Sequence, residues 1–352
     1  MARFHTSVTE RASFRDCRRK WVLETQERLV RQGSVQWYLI YGDVMHAALE
    51  AYYLSKRNVT DCLDAFRAAW KEADRNLQES YGGLYLHGIE EEWYEYLEKG
   101  ETTLKYYAQF DKKDPFFTEI IGVNIEERAF VEILDLDGSS LPGRPLLSGK
   151  IDVAGFRKGK SRPSIMDHKN LASAHDSRAL DMDDQLTGYC YLYWRIEDVV
   201  PLEAVYNVLI KDPPKPPRVL KDGSISKDKS QRTTYDLYLD TIKELGLKRG
   251  DYAEILGYLK EKGWSQFFRR EGVQRSQEEL ESFGRRLYYE YEDMQRALLD
   301  PGYAYPNPGQ RTCPGCAMMP LCQSMEEGGD PDYIKEEMYE VGEHRVVIPE
   351  GV

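Results

Sequence analysis

The hydrophobic period of this chain first changes near residue 119, and that change limits the folds open to it. Before that point residues 10–29, 42–54, 61–77 and 90–110 carry apolar side chains at helical spacing with charge on the opposite face. Beyond it residues 123–134 are rich in β-formers and Asp135-Leu136-Asp137-Gly138 supplies a turn. Residues 146–156 make a second β-like run, and Lys158-Gly159-Lys160-Ser161-Arg162-Pro163 turns into a third at 164–168. A helix with apolar and aromatic faces follows Asp181-Met182-Asp183-Asp184 as far as residue 196, and residues 203–210 return as a strand. Strands, a helix and a further strand predict an α/β core.

The spacing divides the chain into a helical N-terminal part (1–118), a core (119–235), a helical C-terminal part (236–325) and an acidic tail (326–352). Within the core, residues 211–232 hold Pro213, Pro214, Pro216 and Pro217 and read as a loop or flap, because prolines neither donate to a ladder nor continue a helix. Two helices are expected at 237–262 and 276–299, and a Pro/Gly-rich passage at 301–309 leads to a cysteine cluster. Forty-eight Lys and Arg against 60 Asp and Glu leave a net charge of −12. No apolar run approaches the ~18 residues of a membrane span, and residues 1–6 lack a signal-peptide core, so a cytoplasmic location is expected.

The sharpest chemical signal is Ser148-Gly149-Lys150-Ile151-Asp152, followed fifteen residues after Asp152 by Asp167-His168-Lys169. Asp152 lies in the second β run and Asp167 at the end of the third, so adjacent strands bring the two carboxylates together. The strand period of two points Asp167 and Lys169 the same way. Two carboxylates beside a lysine suit a hard divalent cation, which lowers the pKa of a bound water and stabilises charge at phosphorus. Lys169 would orient the attacking water or neutralise developing charge, and the His168 carbonyl would be a further ligand. The plain alternative is a chance ion pair on a solvated face. Against it stand Ile151, Val153, Ile165 and Met166, which mark a buried sheet where unpaired charge is costly.

In chain order, Gly42-x-x-x-His46, Gly149-x-x-Asp152, Asp167-x-Lys169 and Gln185-x-x-x-Tyr189 resemble the PD-(D/E)XK nuclease superfamily. The likeness is greatest to the branch that resembles the RecB nuclease domain and the CRISPR-associated adaptation exonucleases, with their phage relatives, and it covers residues 6–322. It implies a restriction-endonuclease-like core sheet flanked by helices and a Mg²⁺ or Mn²⁺ centre held by His46, Asp152 and Asp167. It also implies that Lys169 is catalytic and that Gln185 and Tyr189 line the DNA path. The residues are compatible with these roles: residues 42–50 read as a helix start able to project an imidazole, which Mn²⁺ accepts. Gln185 and Tyr189 share one helical face. Tyr193 and Trp194 are read as core.

Cys313-Pro314-Gly315-Cys316-x5-Cys322 is one thiol short of a tetrahedral or cubane set, and Cys17 is the candidate fourth. The iron–sulfur members of the family resemble this arrangement, with one N-terminal and three C-terminal cysteines around a 4Fe–4S cluster; Arg18 departs from the proline many of them carry. A zinc site on the same four thiols would equally join the N- and C-terminal parts. Cys62 and Cys190 sit on apolar helical faces and read as core.

The implied activity is a DNA exonuclease acting on single-stranded ends in recombination, repair or phage DNA metabolism. A structure-selective endonuclease on the same centre and a non-catalytic DNA-binding scaffold are the alternatives. A helicase is disfavoured by the lack of a G-x-x-x-x-G-K-[ST] loop. Acidity does not exclude DNA. Residues 86–101 hold six acidic side chains against one lysine and residues 323–352 nine against two, which accounts for the whole deficit. Residues 1–31 and 211–232 are each basic by four charges and are the expected phosphate contacts, with Trp37, Tyr38 and Tyr235 as stacking candidates.

Overall fold

The computed structural model describes residues 3–33, 37–81, 90–121, 128–172, 177–310 and 312–342. Strand β1 (His5–Ser7) runs directly into helix α1 (Val8–Asp16) because Ser7 and Glu10 form a reciprocal capping box. The helical spacing at 10–29 is then interrupted. Cys17 takes an extended backbone that ends α1 and starts α2 (Arg18–Trp21), a π turn follows at Val22–Gln26, and Arg28 turns left-handed at φ 58° before β2 (Leu29–Arg31). Three long helices come next: α3 (Trp37–Leu54), α4 (Val59–Tyr81) and α5 (Glu90–Lys113). Helix α3 starts five residues before Gly42, so His46 lies inside it rather than at its first turn.

The strands are β3 (Glu119–Ile120), β4 (Arg128–Glu132), β5 (Leu146–Lys150), β6 (Val153–Phe156) and β7 (Ser164–Leu171). A 3-10 turn (Ser177–Met182), α6 (Asp184–Glu197) and β8 (Ala204–Ile210) follow. The rest of the chain adds α7 (Tyr235–Glu244), a 3-10 turn (Arg249–Tyr252), α8 (Ala253–Lys262), β9 (Phe268–Val273), α9 (Gln277–Leu299), α10 (Met319–Glu327), α11 (Pro331–Met338) and β10 (Tyr339–Val341). The helix expected at 237–262 is therefore two, divided where Gly246 adopts a positive φ. Of the predicted features, residues 123–127, the start of the acidic stretch at 86–89, and the side chains of Trp37 and Tyr38 lie outside the described residues.

Five strands form the sheet in the order β3-β6-β7-β8-β9, and within it only β7 and β8 run parallel, joined through α6. All seven residues of β8 are buried, as expected for a strand covered on both faces. Ile165, Tyr206, Val208 and Ile210 pack with Leu186 and Leu192 of α6 and Phe283 of α9. On the other face, Met166, Leu209 and Phe268 pack with Tyr53, Phe66 and Tyr107 of α3, α4 and α5. This three-layer arrangement is the α/β architecture the periodicity predicts.

A second sheet has the order β1-β5-β4. The single β run expected at 146–156 is split between the two sheets, with Ile151 and Asp152 as the joint. Pairing of Val153 with Met166 makes Asp152 opposite Asp167 the next rung, and the β6–β7 ladder stops just short of it. Directly opposed like charges disfavour that rung, so the chain leaves the sheet there. The acidic segment after 326 is folded as far as 342: β10 pairs antiparallel with β2, Arg19 binds Glu326 at 2.6 Å and Lys335 binds Glu27 at 2.6 Å.

Candidate active site

The joint and strand β7 place two carboxylates at one spot, both almost fully enclosed: Asp152 is 2% and Asp167 4% exposed. Asp152 Oδ2 accepts the His168 backbone N–H at 2.6 Å and lies 3.2 Å from His46 Nδ1, which reaches across from α3. Asp167 Oδ2 faces Lys169 Nζ at 2.7 Å, as the strand period requires of residues two apart. Lys169 Nζ in turn donates to Gln185 Oε1 at 2.9 Å, and Gln185 Nε2 donates to the Tyr189 hydroxyl at 2.9 Å. Asp167, Lys169, Gln185 and Tyr189 thus form one chain of contacts from the carboxylate to the phenol. Burial and then the charge of Asp167 push the Tyr189 pKa well above its ordinary value, so this hydroxyl keeps its proton.

Helix α6 can approach this closely because residue 149 is glycine. A Cβ there would collide with Leu192 Cδ1 and come within 3.1 Å of Tyr189 Cε1. Tyr189 is 6% exposed, so its ring offers no face for a nucleotide to stack on; its contribution is the hydroxyl. Gln185 is half-buried, and with Tyr189 it belongs to the network around Lys169.

His168 has the opposite orientation to its neighbours. Its ring turns to the α3–α5 face of the sheet, stacks on Tyr53 at 5.6 Å and meets Asn207 at 2.9 Å, while its peptide N–H serves Asp152. Tyr206 was not foreseen. Its hydroxyl donates to Asp183 at 2.9 Å and lies 3.3 Å from Gln185 Oε1, and Lys169 Nζ sits 5.1 Å from its ring centroid. Alternation along β8 was the available signal, since Tyr206 shares a face with Val208 and so points at α6.

Two carboxylates and an imidazole are a suitable donor set for Mg²⁺ or Mn²⁺. In the present arrangement Asp152 is engaged by His46 and the His168 N–H, and Asp167 by Lys169. Among the described residues no three His, Cys, Asp or Glu side chains converge closely enough to hold an ion as they stand. The four candidate cysteines are free thiols, each partly exposed. Cys17 Sγ accepts the Asn307 N–H at 3.4 Å, and Arg19 reaches Cys322 Sγ at 3.7 Å, so residues near both ends of the chain meet at this spot. Burial pushes the Cys316 thiol up, with smaller contributions that include Cys17. Cys62 and Cys190 lie in the core.

Four of the eight basic side chains in residues 1–31 are engaged by acids distant in sequence. Arg15 binds Asp184 at 2.9 Å, Arg18 binds Asp293 at 3.4 Å, Arg19 binds Glu326, and Arg11 is fully buried between Asp184 and Glu290. These guanidiniums hold α1 and α2 to α6, α9 and α10. In the proline-rich segment Lys215 and Arg232 share Asp212, and Ile225 anchors the segment against Tyr238 and Tyr252. Tyr235 packs at the edge of that cluster, where its hydroxyl accepts from Arg249 at 2.9 Å.

No curated protein matches the chain. A family model described as the PD-(D/E)XK nuclease superfamily matches residues 5–323. That span runs from β1 into α10 and includes both carboxylates, the lysine and both sheets around them. The chain therefore belongs to the PD-(D/E)XK nuclease superfamily.

Proposed function

We propose that this nuclease-superfamily chain is a metal-dependent DNA exonuclease acting on single-stranded ends, in recombination, repair or phage DNA metabolism. The observation that carries the reading is the meeting of two buried carboxylates at the end of the β6–β7 ladder, with Lys169 on the same face as Asp167. Packing alone does not favour such a pair, since two desolvated carboxylates are costly even with Lys169 and His46 beside them. His46, Asp152 and Asp167, with the His168 carbonyl, would hold Mg²⁺ or Mn²⁺, which supplies an activated water and stabilises charge on the phosphoryl oxygens. Lys169, held by Gln185 and steadied over Tyr206, would place its ammonium beside that water. Purified protein given end-labelled linear single-stranded DNA and Mn²⁺ is expected to release short products progressively and to leave a circular single strand intact. Cleavage of the circle would identify an endonuclease on the same centre, and metal-independent binding without cleavage would identify a scaffold.

Cys17, Cys313, Cys316 and Cys322 would carry a 4Fe–4S cluster, with zinc as the alternative occupant; four thiols suit either. Support comes from the meeting of the two chain regions at Asn307 and Arg19. Anaerobically purified protein is expected to be brown, with a broad band near ~400 nm that Cys313→Ser abolishes. A colourless protein with stoichiometric zinc would replace the cluster by a zinc clip.

A further inference from the structure

The sheet face turned towards α3 and α5 is apolar at Val153, Met166, Leu209 and Phe268, yet one row across it is polar. His168 on β7 stands in register with Asn207 on β8, and Asn207 with Arg270 on β9. His168 is 2% and Asn207 0% exposed. Asn207 Nδ2 lies 2.9 Å from His168 Nδ1 and 2.9 Å from the Tyr107 hydroxyl, so its two hydrogens serve one partner each. The Tyr107 hydroxyl is 2.6 Å from that of Tyr53, whose ring stacks on His168, and the four side chains close a ring. Burial pushes Tyr107 up to about 12 and Tyr53 well above its ordinary value, so both hydroxyls stay protonated. Arg270 continues the row to Asp111 at 2.5 Å, which also holds Arg57 at 2.8 Å.

A buried polar row is stabilising only if its members are bonded, and Asn207 Oδ1 accepts no hydrogen bond among the described residues. For packing alone, leucine would serve position 207 at least as well. What the row reaches is the active site: the peptide joining Asp167 to His168 gives its N–H to Asp152 Oδ2 at 2.6 Å.

We propose that Asn207 is a positioning residue for the carboxylate pair. By gripping the His168 imidazole from the neighbouring strand it sets the rotation of the 167–168 peptide, aims that N–H at Asp152, and so fixes Asp152 relative to Asp167. The effect on metal and turnover rests on the nuclease reading; the effect on Asp152 does not. The test is Asn207→Leu, which keeps the branching and removes the hydrogen bonds, with Val208→Ala on the opposite face as a control for lost stability alone.

In full-length protein labelled with ¹⁵N-histidine, which has only six histidines, the His168 amide resonance is expected to move in the direction it takes in Asp152→Ala. Mn²⁺ binding to the DNA-free protein, measured by calorimetry, is expected to weaken about tenfold, as for loss of a residue that orients a ligand. Val208→Ala should do neither. An unmoved His168 resonance in folded Asn207→Leu overturns the proposal. Should that variant not fold, Tyr107→Phe removes one oxygen from the same row, and an unmoved resonance there overturns it equally. If the resonance moves while wild-type protein binds no Mn²⁺, the nuclease reading falls and the positioning of Asp152 stands.

Discussion

Asp152→Asn is expected to lower Mn²⁺-dependent DNA cleavage about a thousandfold, the scale on which a group stabilising transition-state charge acts, while the protein melts no lower than wild type. The side chain is 2% exposed, and the amide keeps its shape and an oxygen for the His168 N–H. What it loses is the negative charge, which the folded protein has to desolvate next to a second carboxylate at Asp167. Removing that charge relieves the fold and disables the chemistry, the trade-off typical of residues kept for activity. Single-turnover rates at saturating Mn²⁺ and a thermal melt on the same preparation decide the matter. Cleavage within tenfold of wild type would remove Asp152 from the catalytic centre.

The largest expected loss of stability is at Arg11. Its side chain is fully buried, 2.5 Å from Glu290 and 3.4 Å from Asp184, with its guanidinium 4.4 Å from the Phe283 ring centroid. Truncation leaves two largely buried acids short of a cation, which costs about 3 to 5 kcal/mol, with the lower end expected because Arg15 and Arg286 remain. Burial alone would raise the Asp184 carboxyl, but Arg11, Arg15 and Arg286 outweigh it and hold the group below its ordinary 3.8. A depressed folded-state value means that the stabilisation is present above that pH and lost as the pH falls through the folded value. The difference between wild type and Arg11→Ala in urea unfolding should therefore be full at neutral pH and shrink in strong acid. A constant difference would assign the loss to packing against Phe283 instead of charge.

That Asp167 and Lys169 share a face, and Gln185 and Tyr189 another, could be read from the chain because the relations are local: two residues apart on a strand, four apart on a helix. The place of Gln185 beside Lys169 could not. Asp152 could be placed beside Asp167 because one turn separates its strand from β7. The joint at Ile151 and Asp152 could not be read, since whether residues 146–156 stay in one sheet depends on β1 and β4, which lie far off in sequence. Strand β9 escaped notice because Arg269, Arg270 and Glu271 break its apolar pattern, and the acid that pairs with Arg270, Asp111 on α5, lies far off in sequence. The same blindness hid Asn207: nothing in a single strand says which of its polar residues will face a histidine on the next. Charge counted by segment also could not show which N-terminal arginines are paired, because the acids that meet Arg11, Arg15, Arg18 and Arg19 lie at 184, 290, 293 and 326.

The pairing of β2 with β10 has a consequence for how the molecule is made. Residues 29–31 find their partners only at 339–341, β1 finds its partner at 146–148, and α1 is clamped by residues of α6 and α9. In a chain emerging from the ribosome β1 can therefore pair once residue 148 is made, whereas residues 29–31 lack their strand partner until residue 341 has followed. Contacts of such sequence separation fold slowly and leave apolar surface open meanwhile. Cys17 likewise meets its neighbour Asn307 only after some 290 further residues have been made.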